Sequence, residues 1–391
     1  MAGGRGENIR MLRRARTADA PAFDLSYVRT GPRGATPVVI IPGGPGLASV
    51  RPYRSVRRIA AGSGLDVVMV EHRGVGLSRT DLAGAPLPPS AMRISEVLDD
   101  LAAVLDREHI DRAVVVGSSY GSYLASGFGV RHPDRVERML LDSPLQSTAD
   151  IALERQRVRE LFWDADDQLS ADVRMLVERG EGERPVLDVL RAAYELVGPE
   201  LAGSLARRRT RHGPSLTWRA LEAYAGRGDA IARIPGVYEF DLAGVIAFRE
   251  LAYGAPPDGL PLDPASTYAP LAPRFPAFAG EPFDLPALTP AFAWPLVILS
   301  GARDLRTPPA IAERTARTAR DAVLVRLQNG HSALDTHPVA LLNAVRRLVR
   351  GAQHRLPAEA DVLDRLPRRG AGARLPDLLR AMSRAEGLLG R

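Results

Sequence analysis

The sequence predicts an α/β fold, a mostly parallel sheet with helices on both faces, interrupted by one long helical insertion. Two observations carry this. Short apolar, β-branched runs alternate with amphipathic stretches up to Pro144 and again after 294. Strands buried on both faces read as continuous apolar runs, and their alternation with helices implies parallel pairing. Between the two blocks, residues 145–293 lose the alternation, so one sheet domain is split by an insertion.

The elements follow in order. "FDLSYVR" (23–29) alternates like a half-buried strand. "PVVIIPGGPG" (37–46) is a buried strand ending in a glycine-rich loop, "PYRSVRRIAAG" (52–62) suits a helix, and "LDVVMVEHRGVGLS" (65–78) is a second buried strand with its loop. "ISEVLDDLAAVLDREH" (94–109) is amphipathic, with Val97, Leu101, Val104 and Leu105 on one face and Ser95 as its N-cap. "AVVVG" (113–117) is a third buried strand, "SYLASGFGVRHP" (122–133) a helix stopped before Pro133, and "VERMLLDSP" (136–144) a fourth strand. The insertion starts helical and becomes rich in proline. It holds seven of nine phenylalanines and five of nine tyrosines, material for a small core and a recognition surface. The pattern resumes with "PLVILSG" (295–301), a helix around 308–320, "AVLVRLQNG" (322–330) and a helix over 337–350. The expected organisation is a basic extension (1–22), a core (23–144 and 294–350), a cap (145–293) and a C-terminal extension (351–391).

Composition excludes several classes. With no cysteine among 391 residues there is no disulfide, thiolate metal site or cysteine nucleophile. No apolar run reaches the length of a membrane span. The arginines near the start are not followed by an apolar segment, which argues against a secretory signal and for a cytoplasmic location. The net charge of +6 comes from the two ends: 1–22 hold five arginines against two acids, and 351–391 hold eight against five. The middle is formally neutral and lysine is absent, so neither a nucleic-acid nor a membrane partner is expected.

The chemistry is concentrated where strands end. In Gly117-Ser118-Ser119-Tyr120-Gly121 a serine sits at a strand-to-helix junction flanked by glycines, as a sharp nucleophile turn requires. A serine hydroxyl needs a base, and in this architecture the chain order is serine, acid, histidine. His331 in "QNGHSALD" directly follows the last strand and is the histidine placed to reach Ser119. Asp304 in "SGARDLRTPP" is the candidate acid, with Asp142 in "LLDSP" as its rival. The oxyanion donors are assigned to the backbone N–H of Tyr120 and to the glycine loop Pro42-Gly43-Gly44-Pro45-Gly46, Gly44 first and Gly43 second. No Gly-Lys-Ser/Thr follows that loop, so it is not a phosphate loop.

Taken together, Gly43-Gly44-Pro45-Gly46, Arg73-Gly74-Val75-Gly76-Leu77-Ser78, Gly117-Ser118-Ser119-Tyr120-Gly121, Gly301-Ala302-Arg303-Asp304 with Thr307-Pro308, and Gly330-His331-Ser332 resemble the prolyl iminopeptidase and tripeptidyl aminopeptidase family of α/β-hydrolases. The resemblance covers about 35–145 and 294–350. It implies an α/β-hydrolase fold with a helical cap, removal of residues from peptide N-termini through an acyl-enzyme, and no metal or cofactor. It also implies cap carboxylates that hold the substrate amine. "VIAFRELAYG" (245–254) faintly resembles a cap helix of the tripeptidyl branch, which makes Glu250 a candidate anchor; a solvated helix carboxylate is the plain alternative. Pro42 stands where the family has histidine, and Glu71-His72 where it has Asp-Gln. The cap lacks the tryptophan–glutamate motif of the proline-specific branch. An esterase, thioesterase or lactonase acting on a small acyl substrate is the alternative function, and a non-catalytic binding module a third.

Overall fold

The computed structural model describes residues 8–226, 233–369 and 371–389. Ten strands form among the described residues: β1 (Arg10–Arg14), β2 (Phe23–Thr30), β3 (Pro37–Ile41), β4 (Asp66–Val70), β5 (Ala113–Ser118), β6 (Val136–Asp142), β7 (Arg233–Ile234), β8 (Tyr238–Glu239), β9 (Leu296–Gly301) and β10 (Ala322–Leu327). Eight build one sheet in the order β1-β2-β4-β3-β5-β6-β9-β10; β7 and β8 form a separate pair, and Tyr238 of β8 also bridges to Leu47 in the glycine loop region. Pairing is parallel from β4 to β10, while β1 with β2 and β2 with β4 are antiparallel.

Side chains alternate across each strand. Val39, Ile41, Val68 and Val115 therefore enter one apolar cluster, and Val38, Ile40, Val67 and Val114 the other. The strand order reverses between β3 and β5, the switch point where open α/β sheets form a crevice at the carboxyl ends of their strands. The glycine loop leaves β3 there, and the Ser119 turn leaves β5.

Two expectations need correction. The described part of the basic extension 1–22 belongs to the sheet: β1 zips onto β2 from Arg10 opposite Tyr27 to Arg14 opposite Phe23. Its arginines are satisfied by acids of the core: Arg10 with Glu108 and Arg14 with the buried Asp100. Residues 1–7 and Gly370 lie outside the described residues. Ser95 does not cap its helix: the helix Ile94–Arg107 has Arg93 at its N-cap without a side-chain bond. The N–H of Ile94 instead donates to Glu250, at 2.8 Å.

The stretch between β6 and β9 contains helices Ile151–Phe162, Gln168–Glu178, Glu183–Leu196, Pro199–His212, Leu216–Ala225 and Phe240–Leu251. The first five share an apolar cluster around Val158, Phe162, Val173 and Trp218. The sixth sends Leu242, Val245 and Ile246 into the main core. The C-terminal segment runs between the two parts. Leu356 and Leu363 pack beneath the sheet, Leu379 joins the cluster of the insertion, and Thr217 donates to Glu386 through both N–H and hydroxyl at 2.9 Å. Among the described residues no helix is long and apolar enough to cross a membrane.

Candidate active site

β5 passes into the helix Tyr120–Arg131 through Ser119 alone, held at φ 53° and ψ −123°. That conformation is sterically poor for any residue with a side chain. The surroundings impose it. A Cβ at Gly117 would lie 2.1 Å from the Gly121 carbonyl oxygen, and one at Gly121 would lie 2.2 Å from that of Ile41. Strand, turn and helix are thus closer than side chains permit. The N–H of Ser119 donates to the Asp142 carbonyl at 2.9 Å, which ties the turn to β6.

His331 arrives on the loop after β10. Its Nε2 lies 2.9 Å from Ser119 Oγ, and its Nδ1 lies 3.0 Å from each carboxylate oxygen of Asp304. Asp304, fully buried, also accepts the N–H groups of Arg306 (3.0 Å) and Thr307 (2.9 Å) and the Thr307 hydroxyl (2.9 Å). Burial pushes this carboxyl up, but the His331 ring and the Thr307 amide outweigh it, and the net shift is downward. The His331 ring moves the other way: burial disfavours its charge, Asp304 favours it, and its pKa rises above 6.5.

Asp142 serves a different purpose. Its carboxylate accepts the N–H groups of Ala333 and Leu334 at 3.0 and 2.9 Å and the Ser118 hydroxyl at 2.7 Å, so it anchors the loop behind His331. It accepts no bond from the ring. Burial raises it to about 6, against the pull of those donors.

Gly43 approaches the hydroxyl closely: a Cβ there would lie 3.2 Å from Ser119 Cβ and 3.8 Å from Ser119 Oγ. Gly43 and Gly44 line the same cavity as Ser119 and His331. Tyr120 is the first residue of its helix, so its N–H has no acceptor within the helix. Its buried ring is held by His72, whose Nε2 lies 3.1 Å from the Tyr120 hydroxyl and whose Nδ1 lies 2.5 Å from the Arg73 carbonyl. Burial lowers His72 to about 4, so at neutral pH it donates through Nδ1 and accepts from Tyr120. Sequence reading passed over His72 because it precedes the nucleophile; its substitution for glutamine in the resemblance was the available signal.

The cavity holds about 530 Å³ and is roofed by the insertion, including Ile151, Leu251 and Tyr253. Glu250 is not part of its lining, which corrects the expected anchor. It is neither solvated nor at the site, but buried, bonded to Ile94 N–H and paired with Arg249 at 3.1 Å. The carboxylates that do face the cavity include Glu154 and Asp188, which share Arg191 at 3.3 and 3.0 Å. Burial pushes Glu154 up to about 7 despite that arginine.

This arrangement can move a proton from a hydroxyl to an imidazole beside backbone donors. Similarity to known proteins agrees with the architecture. Proline iminopeptidase of Heyndrickxia coagulans is 25% identical over 114 residues, 29% of this chain and 37% of that one. A probable proline iminopeptidase of Leptolyngbya boryana is 28% identical over 120 residues, 30% of this chain and 34% of that one. The chain thus aligns with little more than a third of the length of these curated relatives. The crystal structure of proline iminopeptidase from Mycobacterium smegmatis shares the fold, with a TM-score of 0.54 at 16% identity over 89% of this chain and 99% of that one. A family model described as the alpha/beta hydrolase fold matches residues 36–338, and the chain belongs to that family.

Proposed function

We propose that the chain is a serine hydrolase that releases N-terminal residues from short peptides or amides. The carrying observation is the 2.9 Å separation of His331 Nε2 and Ser119 Oγ, with His331 Nδ1 bound to Asp304. As Ser119 Oγ bonds to the substrate carbonyl carbon, its proton passes to His331 Nε2 and the carbonyl π pair moves onto oxygen. That oxyanion faces the N–H of Tyr120 and the N–H of Gly44 or Gly43; one such donor lowers the barrier by about 3 kcal/mol. Asp304 keeps the Nδ1 proton on the ring and balances the imidazolium. His331 returns its proton to the amine nitrogen as the C–N bond breaks, leaving an ester on Ser119. Water then attacks that ester, gives its proton to His331, and Ser119 recovers it as the acid departs.

The amine-directed reading is supported by the resemblance, by the relatives named above, and by Glu154, a cavity carboxylate whose ionisation an ammonium group would favour. A cytoplasmic setting suits a chain without cysteine. One observation favours the esterase alternative: Glu154 and Asp188 are already engaged by Arg191, which weakens both as ammonium partners.

Ser119→Ala should abolish turnover and labelling by a fluorophosphonate probe; full labelling of that variant would remove Ser119 from the scheme. Aminoacyl-naphthylamides with free and acetylated N-termini then separate the two substrate readings. A peptidase that anchors the amine rejects the acetylated form, whereas an esterase turns over nitrophenyl esters faster than either.

A further inference from the structure

The wall of the cavity that holds the nucleophile carries a cation that the hydrolytic scheme leaves idle. Arg306 lies two residues after Asp304, and its N–H donates to the Asp304 carboxylate at 3.0 Å, so its backbone is fixed against the His331 partner. Its side chain lines the cavity together with Ser119 and His331, and half of that side chain's surface is open. The closest anion is Glu195, 3.5 Å from Arg306 Nε. Glu195 is committed elsewhere as well, accepting the Leu305 N–H at 3.1 Å. Among the described residues no protein group hydrogen-bonds the Arg306 side chain. The other cavity arginine considered above, Arg191, spends its charge on Glu154 and Asp188.

A planar guanidinium with open donors binds a carboxylate through two parallel hydrogen bonds. Arg306 and His331, which protonates the leaving group, line the same cavity. In a dipeptide, the carboxylate carbon of the leaving amino acid lies two bonds, about 1.5 Å each, beyond the scissile nitrogen.

We propose that Arg306 is a substrate-binding residue that selects a free carboxylate, so that the preferred substrates are dipeptides or other short acyl compounds with an acidic end. This rests on the hydrolase reading of the same cavity. Tyr238, Tyr253 and Tyr268 supply aromatic wall for an apolar side chain of such a ligand.

The test is equilibrium binding to the Ser119→Ala protein by calorimetry. Four ligands are compared: alanylphenylalanine, its C-terminal amide, and the N-acetylated form of each. Both carboxylate ligands should bind about tenfold or more tighter than their amides, a ratio fitting hydrogen bonds to charged groups. Adding Arg306→Gln should erase that ratio, and Arg306→Lys should restore part of it. Equal affinity of carboxylate and amide forms, no binding of any ligand, or a ratio that survives Arg306→Gln overturns the proposal. The carboxylate–amide comparison needs no further variant, so it decides even if Arg306→Gln fails to fold. Acetylation reports separately on the amine-directed reading, so either idea can fail alone.

Discussion

Strands β6 and β9 lie side by side, and each delivers a buried aspartate to the same edge of the sheet. Asp142 ends β6, and Asp304 follows β9. Both accept two backbone N–H groups and one hydroxyl at hydrogen-bond distance. Their acidities nevertheless shift in opposite directions, Asp142 up to about 6 and Asp304 downward. The difference is the His331 ring, which gives Asp304 a partner able to carry positive charge. Burial alone makes a carboxyl a weaker acid, and a cationic partner reverses it. Two carboxylates with similar backbone settings thus become a loop anchor and a proton-holding partner.

The most severe way to break this contrast is to remove each charge in turn. Asp304→Asn should lower kcat by about 10³–10⁴, because the amide presents the wrong group to Nδ1 and the ring loses its tautomer. Asp142→Asn should stay within about tenfold of the parent on the same substrate. The reverse ranking would make Asp142 the orienting acid.

Stability against pH sharpens the contrast next. Asp142 titrates near 6 in the folded chain and near 3.8 in the unfolded one. Between those values the folded state keeps a proton that the unfolded state has lost. Its contribution is therefore fully present below 3.8 and lost as pH rises through 6, an effect of about 3 kcal/mol. Asp304 has the opposite sign: its contribution is present above 3.8 and lost as pH falls through its lowered folded value. Urea unfolding at several pH values should show the parent losing stability relative to Asp142→Asn between about pH 4 and 6. Parallel curves would mean that Asp142 is not buried as described.

Catalytic pH dependence probes the same pair. Hydrolysis needs a neutral His331, whose pKa Asp304 holds above 6.5. The kcat/KM profile should fall on acidification with a midpoint above 6.5, and Asp304→Asn should move that midpoint to lower pH. Asp142→Asn should leave it in place. An acid limb that shifts with Asp142 and not with Asp304 would invert the assignment.

The sequence made one half of this edge readable and left the other ambiguous. Gly117, Ser119 and Gly121 could be read because backbone crowding admits only small residues there, and crowding leaves a mark in composition. His331 could be read because one loop after one strand reaches the serine. Asp142 and Asp304 looked alike because each follows an apolar strand, and only the third dimension shows which faces the ring. Glu250 misled because its partner, Ile94, is 156 residues away in the chain. β1 read as part of a basic extension because its arginines find Glu108 and Asp100 only through folding. Arg306 could not be read beside the acid motif, since a loop arginine looks like surface until the fold places it on the wall of the cavity.

Glu250 supplies the smallest expected effect and extends the comparison to a third buried carboxylate. It serves the N-terminus of the helix Ile94–Arg107, accepting the Ile94 N–H at 2.8 Å and pairing with Arg249 at 3.1 Å. A negative group there completes an orphan donor and complements the positive end of the helix. Glu250→Gln keeps an acceptor oxygen but drops the charge, and should cost about 0.5–1 kcal/mol in urea unfolding. Glu250→Ala loses the bond as well and should cost about 1–2 kcal/mol. In both variants the preference between free and acetylated N-termini should equal that of the parent, because the carboxylate is absent from the cavity wall. If that preference collapsed while stability stayed unchanged, Glu250 would be the ammonium anchor after all and Glu154 would lose that part. Unchanged preference with lowered stability would leave Glu250 beside Asp142, as a carboxylate whose work is to hold backbone in place.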